Sequence, residues 1–270
     1  MSHDQNSTLE GGHVRRSFDR AATSYDQAAA LQRRVADRLL GLVSDAPARM
    51  LDAGSGTGYG TAGLAQRFPA AALFALDLAP GMLNATRVRT PAVPLVCSDI
   101  QRLPLASCSF DLLWSSLMLQ WCNRTDLAFS EAQRCLRSDG HFVFSTFGPA
   151  TLQELRDSFA DGHTHVSRFP DADELRRQLV AAGFAEVHIE MQHEVLHYAD
   201  VRSLMLELKA IGAHNATAGR ARGLTGKRGW QAMLANYELR RAVDGVGEGA
   251  GAGAGLPATY ELFYVSARKP

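Results

Sequence analysis

The stretch ARMLDAGSGTG, residues 48–58, constrains this chain more than any other. A short apolar run stops at Asp52 and gives way to glycines at alternate positions, Gly54, Gly56 and Gly58. The reading is a buried strand that enters a glycine loop, with Tyr59 to Phe68 as the helix beyond it. In an open α/β sheet this junction lies at the carboxyl end of a strand. Loops and helix N-termini there turn backbone N–H groups into a crevice, so a ligand site is expected at the same place.

The rest of the chain repeats the alternation. ALFALDLA, PLVCSDI, SFDLLWSSL, HFVFSTF and AEVHIEMQHEVLHY read as further strands, and TYELFYVSARKP as a seventh. Helices are expected at Pro80-Gly81 onward, Asp126 to Leu136 and Asp171 to Ala182, with a turn at Ser138-Asp139-Gly140. Two amphipathic helices precede the first strand, one carrying Val14, Phe18, Ala21, Ala22 and Tyr25, the other Leu31, Val35, Leu39 and Leu42. Strands alternating with helices imply a mostly parallel sheet covered on both faces. About sixty residues separate the last two strands, too many for a hairpin. This gap holds helical stretches at 201–211 and 227–241, then the low-complexity run GVGEGAGAGAG. The expected division is one domain over 1–270: N-terminal helices (1–45), a core (46–200), a basic helical insertion (201–257) and a last strand (258–270).

Composition narrows the class. The chain has 270 residues, 46% of them hydrophobic, enough for one large domain with an appendage. Its 28 basic and 28 acidic residues cancel, which argues against a general nucleic-acid binder. Charge is nonetheless uneven. Between Arg202 and Arg241 stand eight basic residues and two acidic, a net of +6 that the rest of the chain balances. Such asymmetry suggests a surface for an acidic partner; a solvated helical face is the plain alternative. Cys97, Cys108, Cys122 and Cys135 lack metal-ligand spacing and read as buried thiols in a reducing cytosol. The polar start MSHDQNSTLEGGH has no apolar core of a signal peptide, and no run of 18 apolar residues occurs. A soluble, cytoplasmic protein without membrane contact is expected.

Spacing selects the ligand. The dinucleotide pattern G-x-G-x-x-G fails, because its last position falls on Tyr59 or Thr61. That failure argues against an NAD-dependent reductase. What stands is D-x-G-x-G-x-G, the form associated with S-adenosylmethionine (SAM), with S-adenosylhomocysteine as the product left behind. Asp77 ends the second strand, where a carboxylate can accept both ribose hydroxyls. Asp99 and Ile100 end the third, placed to read an adenine edge. The expected cofactor residues are Asp52, Gly54, Gly56, Gly58, Asp77, Leu78, Met82, Asp99, Ile100 and Ser115. No metal is expected: His163 and His165 have no carboxylate beside them.

The acceptor is read from what is missing. Ser115 to Trp121 lacks the Asn/Asp-Pro-Pro-aromatic tetrapeptide of many amide and base N-methylases, so an oxygen or carbon acceptor follows more naturally. No residue presents itself as a general base. An acceptor that is already an anion needs none; a carboxylate, with a pKa of roughly 4, attacks a sulfonium methyl directly. Alignment, desolvation and a cation to hold the acceptor would suffice. A small free acid or a quinone ring remains an alternative acceptor, and a non-catalytic regulator that binds SAM or a carrier protein is a second class of reading.

Nearly end to end, the chain resembles the malonyl-[acyl-carrier protein] O-methyltransferase family. The likeness rests on FDRAATSYD, LDAGSGTG, ALDLAPGML, SDIQRLPL, FDLLWSSLMLQWC and, most specifically, LKAIGAHNATAGRARGLTGK. It departs in the Gly/Ala tail 245–255, which is longer than the family's usual pattern. The resemblance implies a Rossmann-like SAM-dependent methyltransferase fold and methylation of the free carboxylate of a malonyl thioester, the step that opens biotin synthesis. It further implies that Tyr25 caps the methionine end of SAM, with Gln32 and Arg33 helping to close the same side. Arg168 would hold the malonyl carboxylate, for which a guanidinium fork is suited in shape and charge. Lys209, Arg220, Arg222, Lys227 and Arg228 would meet an acidic acyl carrier protein.

Overall fold

The computed structural model describes residues 11–43, 46–159, 168–211, 227–241 and 254–270. Seven strands form one sheet in the order β3-β2-β1-β4-β5-β7-β6. They are β1 (Arg49–Ala53), β2 (Ala72–Asp77), β3 (Leu95–Cys97), β4 (Phe110–Ser116), β5 (Leu136–Phe147), β6 (Ala185–Tyr198) and β7 (Leu256–Arg268). Pairing is parallel from β3 to β5. β7 then enters between β5 and β6, antiparallel to both. The two strands that the sequence separates by some sixty residues are thus neighbours, with twelve paired positions between Ala185 and Tyr198.

Helices α1 (Gly11–Ala21), α2 (Tyr25–Ala28) and α3 (Ala30–Gly41) precede the sheet. α4 (Tyr59–Arg67), α5 (Pro80–Arg89) and α6 (Thr125–Cys135) follow β1, β2 and β4. α7 (Gln153–Ser158) and α8 (Ala172–Ala181) lie between β5 and β6, and α9 (Val201–Ala210) and α10 (Lys227–Glu238) between β6 and β7. Three helices rather than two lead into β1, because α1 ends at Ala21 and a turn over residues 22–24 parts Tyr25 from it. α7 was not anticipated: its six residues are too few to display a helical period. The turn expected at residues 138–140 lies inside β5, where Asp139 adopts φ +62° and the register against β4 slips.

Alternation along the central strands sorts side chains to two cores. Met50, Leu112 and Trp114 face one side, together with Leu31, Val35 and Leu39 of α3 and Leu64 of α4. Leu51, Ala53 and Leu113 face the other, against Phe129 of α6 and Leu175 and Leu179 of α8. The insertion rests on the first side. Tyr237 of α10 is fully buried and its hydroxyl donates to the Pro257 carbonyl at 2.8 Å, and Ser24 Oγ donates to the Ala210 carbonyl of α9 at 3.5 Å.

The expectation of four buried cysteines fails at three of them. Cys97 and Cys108 are exposed and Cys122 is half-buried, so burial holds for Cys135 alone. Cys97 ends the short edge strand β3 and Cys108 sits in a loop, where apolar neighbours in sequence do not make apolar neighbours in space.

Phe142 anchors the second core, fully buried against Phe129, Phe144 and Phe184. Phe142→Ala is expected to lower unfolding free energy by about 3–5 kcal/mol, read from urea denaturation.

Candidate functional site

The carboxyl ends of β1, β2, β3 and β4 converge on one hollow. Its empty volume, counting space open to solvent, is about 780 Å³. Tyr25, Gly54, Gly56, Asp77, Leu78, Met82, Asp99 and Ile100 line it, so eight of the residues expected from sequence are brought together. A second hollow of about 440 Å³ adjoins it beneath α2 and α3, lined among others by Gln32, Arg33 and Thr57. Tyr25, Gly54, Gly56 and Ser116 belong to both walls, which puts Tyr25 on the ridge between them.

Backbone conformation builds this place. Gly54, Gly56 and Gly58 have φ of +86°, +54° and +82°, the left-handed region that glycine enters without a Cβ penalty. A Cβ on Gly54 would lie 2.3 Å from Met118 Cγ, so any side chain there would push the loop off β4. At Gly56 the same atom would meet nothing within 4 Å: open space beside the backbone, where a ligand can approach. Gly58 lines neither hollow; it precedes α4 and packs on Thr86.

Asp77 holds the loop in register. Its Oδ2 accepts the Gly56 N–H at 2.9 Å and its Oδ1 the Ala79 N–H at 2.8 Å. Each oxygen keeps a lone pair for a further donor. Burial pushes the carboxyl up to about 6, although three backbone hydrogen bonds oppose the shift. Asp99 caps the turn that follows β3, accepting from Gln101 N at 2.9 Å and from the Gln101 side-chain amide. Asp52 lies fully buried behind the loop. Its Oδ2 accepts from Thr61 Oγ1 at 2.5 Å, and its Oδ1 has no protein partner. Burial raises its pKa to about 7. The Tyr25 phenol is raised too, first by burial and then by the charges of Asp77 and Asp26, so it stays protonated.

The remaining expected residues fall less neatly. Ser115 is fully buried and donates to the Ala53 carbonyl at 2.7 Å, tying β4 to β1; it is Ser116 that lines the hollows. Gln32 lines the smaller hollow, where its Oε1 is buried without a partner. Arg168 stands exposed, with Glu174 at 4.0 Å, and lines neither hollow. The adjacent Phe169 stacks edge-on against Phe147, which keeps this segment at the carboxyl edge of the sheet. Lys209 and Arg228 are exposed on α9 and α10. Lys227 begins α10, and its side chain lies outside the described residues, as do Arg220, Arg222, His163, His165 and most of the tail 245–255. Among the described residues no cluster of His, Cys, Asp and Glu could hold a metal, and no helix is long and apolar enough to cross a membrane.

Sequence reasoning missed Leu117, Met118, Trp121, Cys122 and Asn123, which close the large hollow after β4, and Val14 and Phe18 of α1. Leu117 carries φ +47°, a strained conformation for leucine that is held by hydrogen bonds from its N–H to the Ser145 carbonyl and Oγ. Phe18 and Trp121 meet edge to face at 5.1 Å and bind α1 to that segment. The periodicity of Val14 and Phe18 was visible in the sequence, but read only as helix packing.

A fold of this order, with glycine loop and strand-end acids at one crevice, defines a methyltransferase of the Rossmann-like kind. Residues 51–144 match the model of a methyltransferase domain. A SAM-dependent methyltransferase of Mesorhizobium loti superposes with a TM-score of 0.50 over 86% of this chain and 96% of its own, at 22% identity. Phosphoethanolamine N-methyltransferase 2 of Haemonchus contortus, in complex with SAM, gives 0.55 over 93% and 57%, at 18% identity. Sequence relatives narrow the class. The malonyl-[acyl-carrier protein] O-methyltransferase of Laribacter hongkongensis is 50% identical over 95% of this chain and 89% of its own. That of Gallionella capsiferriformans is 46% identical over 95% and 90%. The biotin biosynthesis bifunctional protein BioHC of Cellvibrio japonicus is 40% identical over 95% of this chain and half of its own length. The chain belongs to the malonyl-[acyl-carrier protein] O-methyltransferase family.

Asp52 and Asp77 both hold a proton more tightly when folded than when unfolded. Their burial therefore favours the folded state at low pH, an advantage lost as pH rises from about 4 through 6 and 7. Chemical denaturation from pH 4.5 to 8 should show Asp52→Asn gaining stability on the parent, with most of the gain appearing by about pH 7.

Proposed function

We propose that this chain methylates the free carboxylate of a malonyl thioester, with SAM as donor, and so supplies a masked malonyl unit at the start of biotin synthesis. The observation that carries the reading is the hollow at the ends of β1 to β4, within a chain related nearly end to end to malonyl-[acyl-carrier protein] O-methyltransferases. The residues present fit the cofactor: Gly56 faces open space, Asp77 offers two oriented oxygens, and Gln32 Oε1 and Asp52 Oδ1 are buried acceptors without donors.

When bound, SAM supplies an electrophilic methyl on a sulfonium centre. Asp77 would accept the ribose hydroxyls with the lone pairs its backbone bonds leave free. Asp99 and the Ile100 N–H would take the adenine edge between Leu78 and Met82. Gln32 would face the methionine end, while Asp52, expected at the cofactor from sequence but fully buried and lining neither hollow, would brace the loop from behind through Thr61. Tyr25, neutral and roofing both hollows, would keep water from the reacting methyl, and Ser115 would support the floor from behind through Ala53. No histidine among the described residues lines either hollow, and none is required: a malonyl carboxylate is ionised at neutral pH and carries its own lone pair. Arg168 would turn from Glu174 to that carboxylate, as a cation holding the acceptor for in-line attack.

The N-terminal helices would then act as a lid over a single domain, and the basic insertion as a landing surface for an acidic acyl carrier protein. Lys209 and Arg228 are exposed for that role, and Arg220, Arg222 and Lys227 extend it. Since Ser24, next to Tyr25, touches α9, a carrier docked on the insertion would sit beside the lid. The reaction would run in the cytoplasm and need no metal.

Purified protein incubated with SAM and malonyl-carrier protein should gain one methyl on the malonyl group by mass spectrometry. Malonyl-coenzyme A and free malonate are expected to react less well, and S-adenosylhomocysteine should accumulate in step. Arg168→Ala should lose about tenfold or more in kcat/KM for the thioester while still binding SAM. Methylation of none of the malonyl species by a protein that binds SAM would sink the proposal and favour a small-acid or quinone acceptor.

A further inference from the structure

α2 cannot hold Tyr25 in place alone. It is a single turn, Tyr25–Ala28, with no buried residue and no side-chain cap at Ser24. One turn of helix has no stability of its own in water, and Tyr25 itself is only partly buried, against Ala21, Ala79 and Met82. Yet Tyr25 stands where the two hollows meet, and something must fix it there.

The neighbouring residue does so. Asp26 Oδ1 accepts from Thr57 Oγ1 at 2.6 Å, and Oδ2 pairs with Arg89 Nη2 at 2.6 Å. Its backbone carbonyl accepts from Arg33 Nη1 at 2.5 Å. Arg89 closes the circuit by donating to the Thr57 carbonyl at 3.0 Å. Thr57 lies between Gly56 and Gly58 and is itself buried, so this carboxylate joins α2, the glycine loop and the last turn of α5. Consecutive loop residues are thereby braced by two acids, Gly56 by Asp77 from below and Thr57 by Asp26 from above.

We propose that Asp26 is a positioning residue that couples the placement of Tyr25 to the conformation of the cofactor loop. It touches neither the methyl nor the acceptor. Bonded to Thr57, it sets Tyr25 over the ridge; released, it frees α2 to swing, and the hollow opens for exchange of the spent cofactor. The pair with Arg89 is partly exposed on both sides, which suits a contact that must break and reform in each cycle. The coupling rests on the SAM reading above, because it is through the loop that the cofactor would sense the lid.

The test uses the full chain with Asp26→Ala, Asp26→Asn, Thr57→Val and the Asp26→Ala/Thr57→Val double variant. Asp126→Asn, which breaks an exposed pair with Arg124 on α6, is the control. Asp26→Ala should raise KM for SAM and the dissociation rate of S-adenosylhomocysteine about tenfold each, with KM for the malonyl thioester unchanged. The double variant should be no worse than Asp26→Ala, since both remove one contact. Should Asp26→Ala fail to fold, Asp26→Asn and Thr57→Val must show the same shifts at about threefold. Wild-type cofactor kinetics in the folded variants would overturn the coupling, as would additive losses in the double variant. If the parent protein binds neither SAM nor S-adenosylhomocysteine, the cofactor reading itself fails and the coupling with it.

Discussion

The hydrogen bond from Gly56 N–H to the Asp77 carboxylate ties together two strand ends that would otherwise diverge. β1 and β2 pair in parallel only as far as Ala53 and Leu76, and beyond them the chains must part toward different helices. A loop with three left-handed glycines has many other conformations open to it and loses much entropy on ordering. Asp77 selects one of these, helped by the Leu76 carbonyl, which accepts the N–H groups of both Gly54 and Ser55. The cost is a carboxyl taken out of water, visible in its raised pKa. A protein that needed only to fold would gain little from burying an acid here. The burial leaves each carboxylate oxygen with a lone pair to spare at the wall of the hollow.

Asp52 shows the same logic carried further. It lies directly behind the glycine loop with one oxygen satisfied by Thr61 and the other by nothing. An orphan acceptor in a fully buried position is worth a kilocalorie or more of lost stability, on the order of 1–3 kcal/mol. Asp52 lines neither hollow, so this cost is borne behind the loop rather than in the wall of the site. The folded chain is in this sense prepared against its own stability, and the two hydrophobic cores around Phe142 and Trp114 must supply the difference.

How much of this could be read from the sequence depends on how local the determinant is. The strand–glycine–helix junction and the acids at successive strand ends are local, since parallel strands in register place their last residues side by side. They were legible. Ser116 was not, because alternation assigns adjacent residues to opposite faces and an error of one position chooses the wrong one. The insertion of β7 between β5 and β6 joins segments more than fifty residues apart, which no periodicity records. Asp26 is the sharpest case. Its partners Thr57 and Arg89 are 31 and 63 positions away. In the sequence it is one more acid on a helical face.

These nonlocal contacts follow a pattern. The core of the site is built by strand ends, and β2, β1 and β4 are each held by a neighbour on both sides. The insertion is part of the first core through Val201, Leu204, Met233 and Tyr237, but the cover of α1 and α2 is held by a few side chains: Phe18 on Trp121, Asp19 on the Gly81 N–H, Asp26 on Thr57. These are polar or aromatic contacts of modest strength, and Trp121 and Thr57 also line the hollows while Gly81 adjoins Met82, which does. All are separate from the strand pairing that holds the sheet together. A methyl donor enclosed on all sides needs such a cover, because water must be excluded during transfer and the product must leave afterwards. The division between a sheet that recognises and a cover that encloses is why the motifs of the former are conspicuous in the sequence while the fastenings of the latter emerge only in three dimensions.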